Sequence, residues 1–118
     1  MLKSPDSYNL NEILEYKDVS TVIWKWLSDV LSKFEEILPT CDITQIIEET
    51  NNSISTLNML TTLSDQHILS HFIDRELYQE FVDWQSYKVT DLLDFCNFYS
   101  VLRSLQKAFL DVENELVD

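Results

Sequence analysis

The sequence contains no glycine, although a chain of 118 residues carries about eight at average usage. Phosphate-cradling loops, dinucleotide-binding turns and the nucleophile elbow of serine hydrolases need glycine for a positive φ or for close backbone approach. The absence therefore argues against kinases, P-loop enzymes, Rossmann oxidoreductases and serine hydrolases. Because glycine destabilises a helix interior by about 1 kcal/mol relative to alanine, its absence also favours helices.

Basic residues are scarce as well. The chain has 8 Lys and Arg against 21 Asp and Glu, so its formal net charge is −13 at pH 7. A protein that binds nucleic acid directly needs clustered Lys and Arg to neutralise phosphates. We therefore expect no direct contact between this chain and nucleic acid.

Long apolar runs and targeting signals are also missing. No run of about 18 apolar residues exists, so we expect no membrane span. Residues 1–8 combine one Lys with a Ser-Pro-Asp turn and no apolar core, which is not the pattern of a signal peptide. Cys41 and Cys96 lie in no metal-like spacing, and we expect buried, reduced thiols. Together these features predict an intracellular protein, cytoplasmic or nuclear.

Helical periodicity begins directly after residues 1–8. Asn9 to Glu12 has the form of a capping box and predicts a short first helix over about residues 10–17. A second helix, capped by Asp18 or Ser20, follows with apolar residues at steps of four and three. Pro39 should end it, because the proline ring clashes with the preceding turn.

The middle of the chain is less clear. Apolar residues keep one face if a single helix covers about residues 42–62, opened by Thr40 or Asp42, although the weak helix formers at 50–53 could divide it into two. We favour one continuous helix. A further helical segment capped by Ser64 follows, and a restart at Asp74 would extend it to about residue 85.

The last segment has the clearest pattern in the chain. Thr90 is its predicted cap, and the helix is expected to have about 27 residues. Its apolar seam steps by three and four without a break, through Phe95, Phe98, Leu102, Leu105, Phe109, Val112 and Leu116. The flanking positions lack the regular opposite charges of a dimeric zipper, so the seam favours a bundle helix over an isolated coiled coil.

These segments predict an all-α fold. We expect a compact bundle of four to six helices with a long heptad-patterned C-terminal helix. Residues 1–8 should form a flexible tail, and residues 9–118 a single domain. No stretch alternates apolar and polar residues convincingly enough for a strand.

The sequence gives only weak signals for catalytic or metal-binding groups. His67 and His71 have the i, i+4 spacing of zinc ligands, but both are predicted to face solvent, and position 68 holds isoleucine where a zinc protease has its glutamate. Glu76, Glu80 and Asp83 form a row that is typical of a solvated helix face. We therefore expect no catalysis, no cofactor and no bound metal.

Two features favour partner binding. The first is apolar surface beyond the core: Leu92, Cys96, Tyr99 and Leu110 form a second face on the last helix, about 100° from its seam and interrupted by Arg103 and Gln106. Aromatic residues at the edges of apolar faces, which are enriched at interfaces, add to this surface. They are Trp26, Trp84 and Tyr87.

The second feature is the position of negative charge. Asp111, Glu113, Glu115 and Asp118 crowd the C-terminal end of the last helix, where the helix dipole is already negative. Each exposed acid there costs about 0.3–1 kcal/mol. Sequences selected only for stability place Lys or Arg at such ends. We take these acids as candidates for docking a basic partner.

The sequence thus predicts a non-enzymatic protein–protein interaction module, an acidic helical adaptor or small subunit of a larger complex. Its partner would be another protein with a basic or apolar groove. The alternative is an acidic inhibitor, immunity or antagonist protein that blocks a basic, nucleic-acid-binding surface. A homodimer stays open, because a heptad seam serves a second copy as well as a different chain.

Overall fold

The structure, a computed structural model, describes residues 9–63 and 65–117 and is all-α. No strand occurs within these two ranges. The α-helices are α1 (Leu10–Ile37), α2 (Ile43–Thr61), α3 (Arg75–Trp84) and α4 (Leu92–Val117), with 3-10 helices at Leu38–Thr40 and Gln66–His71. The predicted all-α bundle with a long C-terminal helix is confirmed, while the tail predicted for residues 1–8 lies outside the described residues.

Helix α1 begins as predicted and then continues through the expected break. The Asn9 side chain accepts a hydrogen bond from the Glu12 backbone N–H, as in a capping box. The second bond joins the two side chains, since the Asn9 amide donates to the Glu12 carboxylate. The prediction of two helices over this region is wrong. Ser20 and Thr21 donate their hydroxyls back to the Lys17 carbonyl rather than capping a new helix.

Helix α2 is a single helix, as favoured. Its cap is Asp42, whose side chain accepts from the Gln45 N–H. The weak helix formers in the middle are held by side-chain bonds. Thr50 and Ser53 donate to carbonyls four residues earlier, and both are buried. Their hydroxyls are thus satisfied inside the helix, so they do not end it.

Two of the later helices are capped one residue after the predicted position, and α3 begins at the predicted cap. Asp65 accepts from the His67 N–H and starts the 3-10 helix, whereas the predicted cap Ser64 lies outside the described residues. Asp74 precedes α3 as expected, without a side-chain capping bond. At α4 the Asp94 N–H bonds to Asp91 rather than to the predicted Thr90.

The core lies between α1, α2 and α4, with α3 and the 3-10 helix closing one side. The α4 seam is confirmed: its members from Phe95 to Val112 are at most 5% exposed, and Leu116 packs against them half-buried. Helices α1 and α4 are antiparallel, since Phe34 lies 5.1 Å from Phe95 and Trp24 lies 6.4 Å from Phe109 between ring centroids.

The prediction that both cysteines are buried is wrong, because Cys41 and Cys96 are exposed. Both are free thiols, as expected. Cys41 follows the 3-10 helix that contains Pro39 and has φ 56°, the only positive φ of a described residue. A left-handed residue at the end of a helix is ordinarily glycine, which this chain does not contain. Cys96 lies on the outer side of α4, away from the core seam.

Candidate interaction surface

Helix α4 carries a second line of residues, parallel to its core seam, that the bundle leaves uncovered. We call this line the outer stripe; it steps by four, three, four, three and four residues. Leu92 and Leu110 at its ends are 41% and 45% exposed, and Tyr99 between them is half-buried. Its members are Leu92, Cys96, Tyr99, Arg103, Gln106 and Leu110. Since the core seam is already filled, the stripe is free to contact another molecule.

The middle of the outer stripe is held by aromatic contacts from below. The Tyr99 ring lies 6.0 Å from Phe34 and 5.7 Å from Phe95, between ring centroids. On its outer side, the Arg103 guanidinium carbon lies 5.6 Å from the Tyr99 ring centroid, within the range of a cation–π contact. Arg103 also donates to the Gln106 side-chain oxygen at 3.3 Å. The stripe is therefore preorganised on one side and open on the other.

Trp84 and Tyr87 form an aromatic pair at the connection from α3 to α4. Their rings are 4.9 Å apart, and Trp84 also packs edge-on against Phe98 at 5.4 Å. The Tyr87 hydroxyl donates to the Asp94 carboxylate at 3.1 Å, and this bond to a negative acceptor raises the pKa of Tyr87. Tyr87 is 47% exposed and Trp84 is half-buried, so this pair extends the apolar surface near the start of α4.

Trp26 does not belong to this surface. It is 4% exposed, its ring packs edge-on against Phe81, and its indole N–H donates to the Ser53 carbonyl at 3.0 Å. The sequence placed Trp26 at the edge of the apolar face of its helix. Helix α2 covers that edge, so the Trp26 ring is not available to a partner that docks on the outer stripe.

The acidic end of α4 is only slightly neutralised. Asp111 and Glu113 are exposed and Glu115 is half-exposed, while Asp118 lies outside the described residues. Lys107 reaches Asp111 at 3.1 Å, but both side chains are at least half exposed, so this pair contributes little to stability. Negative charge therefore remains concentrated at this end of the bundle.

Beside the acidic end lies a groove of about 400 Å³ between the first half of α1 and the last turns of α4. Trp24, which is half-buried, lines it together with Glu113 and Leu116. Trp24 is not among the binding residues predicted from the sequence. Its neighbours across the groove come from α4, so only the pairing of α1 with α4 identifies it.

A larger groove of about 630 Å³ runs between α1 and α2. Val22, 41% exposed, and the half-buried Leu60 lie along its rims, and Trp26 and Val30 form its floor. Charged side chains of both signs surround it, including Lys33 and Glu49. This groove was not predicted from the sequence either, since its two sides are brought together only by tertiary packing.

The two histidines do not form a chelating pair on an α-helix. They lie in the 3-10 helix with ring centroids 5.5 Å apart. His67 is exposed, as predicted, but His71 is half-buried, and its Nδ1 lies 3.1 Å from the Glu12 carboxylate of α1. In the described part of the chain no three His, Cys, Asp or Glu side chains are grouped so that they could hold a metal ion.

Comparisons with protein-family models, with curated proteins and with solved structures each find no match to this chain. Among the described residues, no helix is long and apolar enough to cross a membrane.

Proposed function

We propose that this protein is a non-enzymatic protein–protein interaction module, an acidic helical adaptor or small subunit of a larger complex. The observation that supports this proposal is the outer stripe of α4, which stays open after the core seam of the same helix is complete. The bundle covers the core seam of α4, so the exposed leucines of the stripe, Leu92 and Leu110, are available to another chain.

The leucines at the two ends of the stripe supply the apolar part of such an interface. Full burial of a leucine contributes about 1.5–3 kcal/mol, so covering the 41% and 45% that remain exposed on Leu92 and Leu110 contributes about 1 kcal/mol each. Tyr99 and the Trp84–Tyr87 pair add amphipathic aromatic area of the kind enriched at binding hot spots.

The acidic end of α4 would set which partner is accepted. Asp111, Glu113 and Glu115 are close to a helix C-terminus that lacks basic residues in its last turn. A partner that places Lys or Arg there offsets the repulsion between these acids and the negative end of the helix dipole. Attraction between the opposite charges also speeds association. Affinity for such a partner should fall as salt rises, because exposed charges are screened.

Capture from the source cells tests this proposal. Wild-type protein is compared with Leu110→Asp, which places a charge in the outer stripe, and with Leu14→Asp, a control at a leucine of α1 that is 52% exposed. We expect a stoichiometric partner, identified by mass spectrometry, to be retained by wild type and Leu14→Asp and reduced at least about tenfold by Leu110→Asp. Circular dichroism confirms that the variants are folded. Equal capture by all three proteins would contradict the proposal.

An acidic inhibitor is a second candidate, supported by a row of exposed carboxylates on α3. Glu76, Glu80 and Asp83 are all exposed, and none of them takes part in an ion pair with a described residue. A row of exposed carboxylates can occupy a basic, nucleic-acid-binding channel. In this case the double variant Glu76→Lys/Glu80→Lys should abolish capture and high salt should release the partner, while Leu110→Asp should have no effect.

A further inference from the structure

We propose that the outer stripe of α4 pairs with the same stripe of a second copy of this chain, antiparallel, around a two-fold axis midway between Tyr99 and Arg103. This inference rests on the proposed function, in which the stripe is an interface, and it names the partner that covers it. A two-fold interface uses the same patch on both copies, so the patch has to be complementary to itself.

The order of residues along the stripe has this self-complementarity. In an antiparallel pair centred between Tyr99 and Arg103, Leu92 of one copy lies at the level of Leu110 of the other. Cys96 lies opposite Gln106, and Tyr99 lies opposite Arg103. Apolar residues thus meet at both ends, and a cation meets an aromatic ring on each side of the axis.

The parallel arrangement lacks this match. It would place each Arg103 against the Arg103 of the other copy, and like charges at the same level of a helix pair repel. The antiparallel arrangement instead offers each guanidinium the Tyr99 ring of the other copy. Within one chain the Arg103 guanidinium carbon lies 5.6 Å from the Tyr99 ring centroid. The guanidinium is therefore on the outer side of the ring, where the second copy would lie.

The charge of the stripe itself does not oppose a second copy. Each copy carries a net charge of −13, and two copies repel wherever carboxylates meet. The outer stripe has no carboxylate, and its one charged member is Arg103. The stripe itself therefore adds no pair of facing carboxylates to the repulsion between two acidic copies.

The size of the stripe predicts a weak dimer. From Leu92 to Leu110 it runs about 27 Å along the helix, and at a helix width of about 10 Å its footprint is about 270 Å². Stable interfaces bury about 800 Å² per partner, so this one belongs among the small, reversible contacts. We expect the dimer to dissociate when the protein is diluted to micromolar concentrations.

Sedimentation over a range of concentrations tests the dimer. We expect a shift from the chain mass of 14.0 kDa to twice that value, and a stronger dimer at high salt because salt screens the repulsion between acidic copies. Leu110→Asp should stay monomeric, whereas Leu14→Asp should dimerise like wild type. A monomer at every concentration up to about 1 mM would overturn the inference.

Disulfide formation tests the orientation, in a Cys41→Ser background that leaves Cys96 as the single thiol. In the antiparallel pair the two Cys96 residues are about 15 Å apart along the axis, beyond the reach of a disulfide. Gln106→Cys adds a thiol opposite Cys96 of the other copy and should give a covalent dimer on mild oxidation. Ser104→Cys, on an exposed face of α4 away from the stripe, is the control and should not.

The two proposals fail in different ways. Rapid oxidation through Cys96 alone would show a parallel pair, and equal oxidation of the Gln106→Cys and Ser104→Cys proteins would show random collision; either result overturns the antiparallel dimer. A monomeric protein that still loses a different partner on Leu110→Asp also overturns the dimer but leaves the interaction module standing.

Discussion

Replacing Asn51 with alanine would remove the two hydrogen bonds that join the middle of α2 to the segment before α4. The Asn51 side-chain oxygen accepts from the Val89 N–H at 2.8 Å, and its amide donates to the Val89 carbonyl at 2.8 Å. Val89 is 1% exposed, so both of its backbone groups are shielded from water. Among the described residues no other side chain bonds to these groups, so the alanine variant leaves both unpaired.

The expected loss in the free energy of unfolding follows from these two bonds. A net intramolecular hydrogen bond contributes about 0.5–1.5 kcal/mol, and a buried group left unpaired costs about 1–3 kcal/mol. The gain in helix propensity from Asn to Ala offsets about 0.5 kcal/mol. We expect Asn51→Ala to destabilise the protein by about 2–4 kcal/mol, which lowers the Tm by roughly 8–16 °C for a chain of this size.

Denaturant unfolding followed by circular dichroism measures this loss, and Asn52→Ala is the matched control. Asn52 is exposed on the same helix, and its replacement should change stability by no more than about 0.5 kcal/mol. Hydrogen exchange at the Val89 amide should accelerate in the Asn51 variant alone. If the two variants were equally stable, the assignment of Asn51 as the anchor of this segment would be refuted.

Two further predictions concern the helix end at Cys41 and the ionisation of tyrosine. Cys41→Gly should stabilise the protein by about 0.5–1 kcal/mol in thermal unfolding, because glycine adopts the left-handed φ of 56° without a Cβ clash. Ser104→Gly, inside α4, should instead destabilise it by a similar amount, and a gain from both would contradict this explanation. The pKa of Tyr87 is raised above the ordinary 10.0 by its hydrogen bond to Asp94, so the folded state holds the phenol proton more tightly than the unfolded state. The stability from this bond is present below pH 10 and is lost as the pH rises through the folded pKa. NMR titration should show the pKa of Tyr87 falling towards 10 in Asp94→Asn, and an unchanged titration would disprove the role of the bond.

Residues near in sequence were predicted well because helix signals are local. The Asn9–Glu12 capping box, the end of α1 before Pro39 and the seam of α4 all depend on neighbours within about one turn of helix or on a repeating step of three and four. The predicted break near Lys17 failed because Ser and Thr can cap a helix or bond back within one. Which of the two occurs is decided by whether buried residues on both sides continue the helix.

The candidate binding residues were harder to predict, because exposure depends on which helices pack together. Periodicity located the outer stripe, since it shows two faces on one helix. It could not show that α2 covers Trp26, or that Cys96 and Cys41 stay exposed. Periodicity could not predict either groove for the same reason, since each is formed by two helices that are brought together only by tertiary packing.

The sequence by itself determined the class of fold, the face of each long helix that is buried and the acidic character of the surface. These properties follow from composition, from the 3.6-residue helical repeat and from caps within a few residues. Tertiary structure alone decided that Asn51 anchors the segment before α4, that Trp26 is covered, and that the outer stripe is left open. Each of these outcomes depends on a contact between distant parts of the chain, and local patterns carry no information about which distant residues meet.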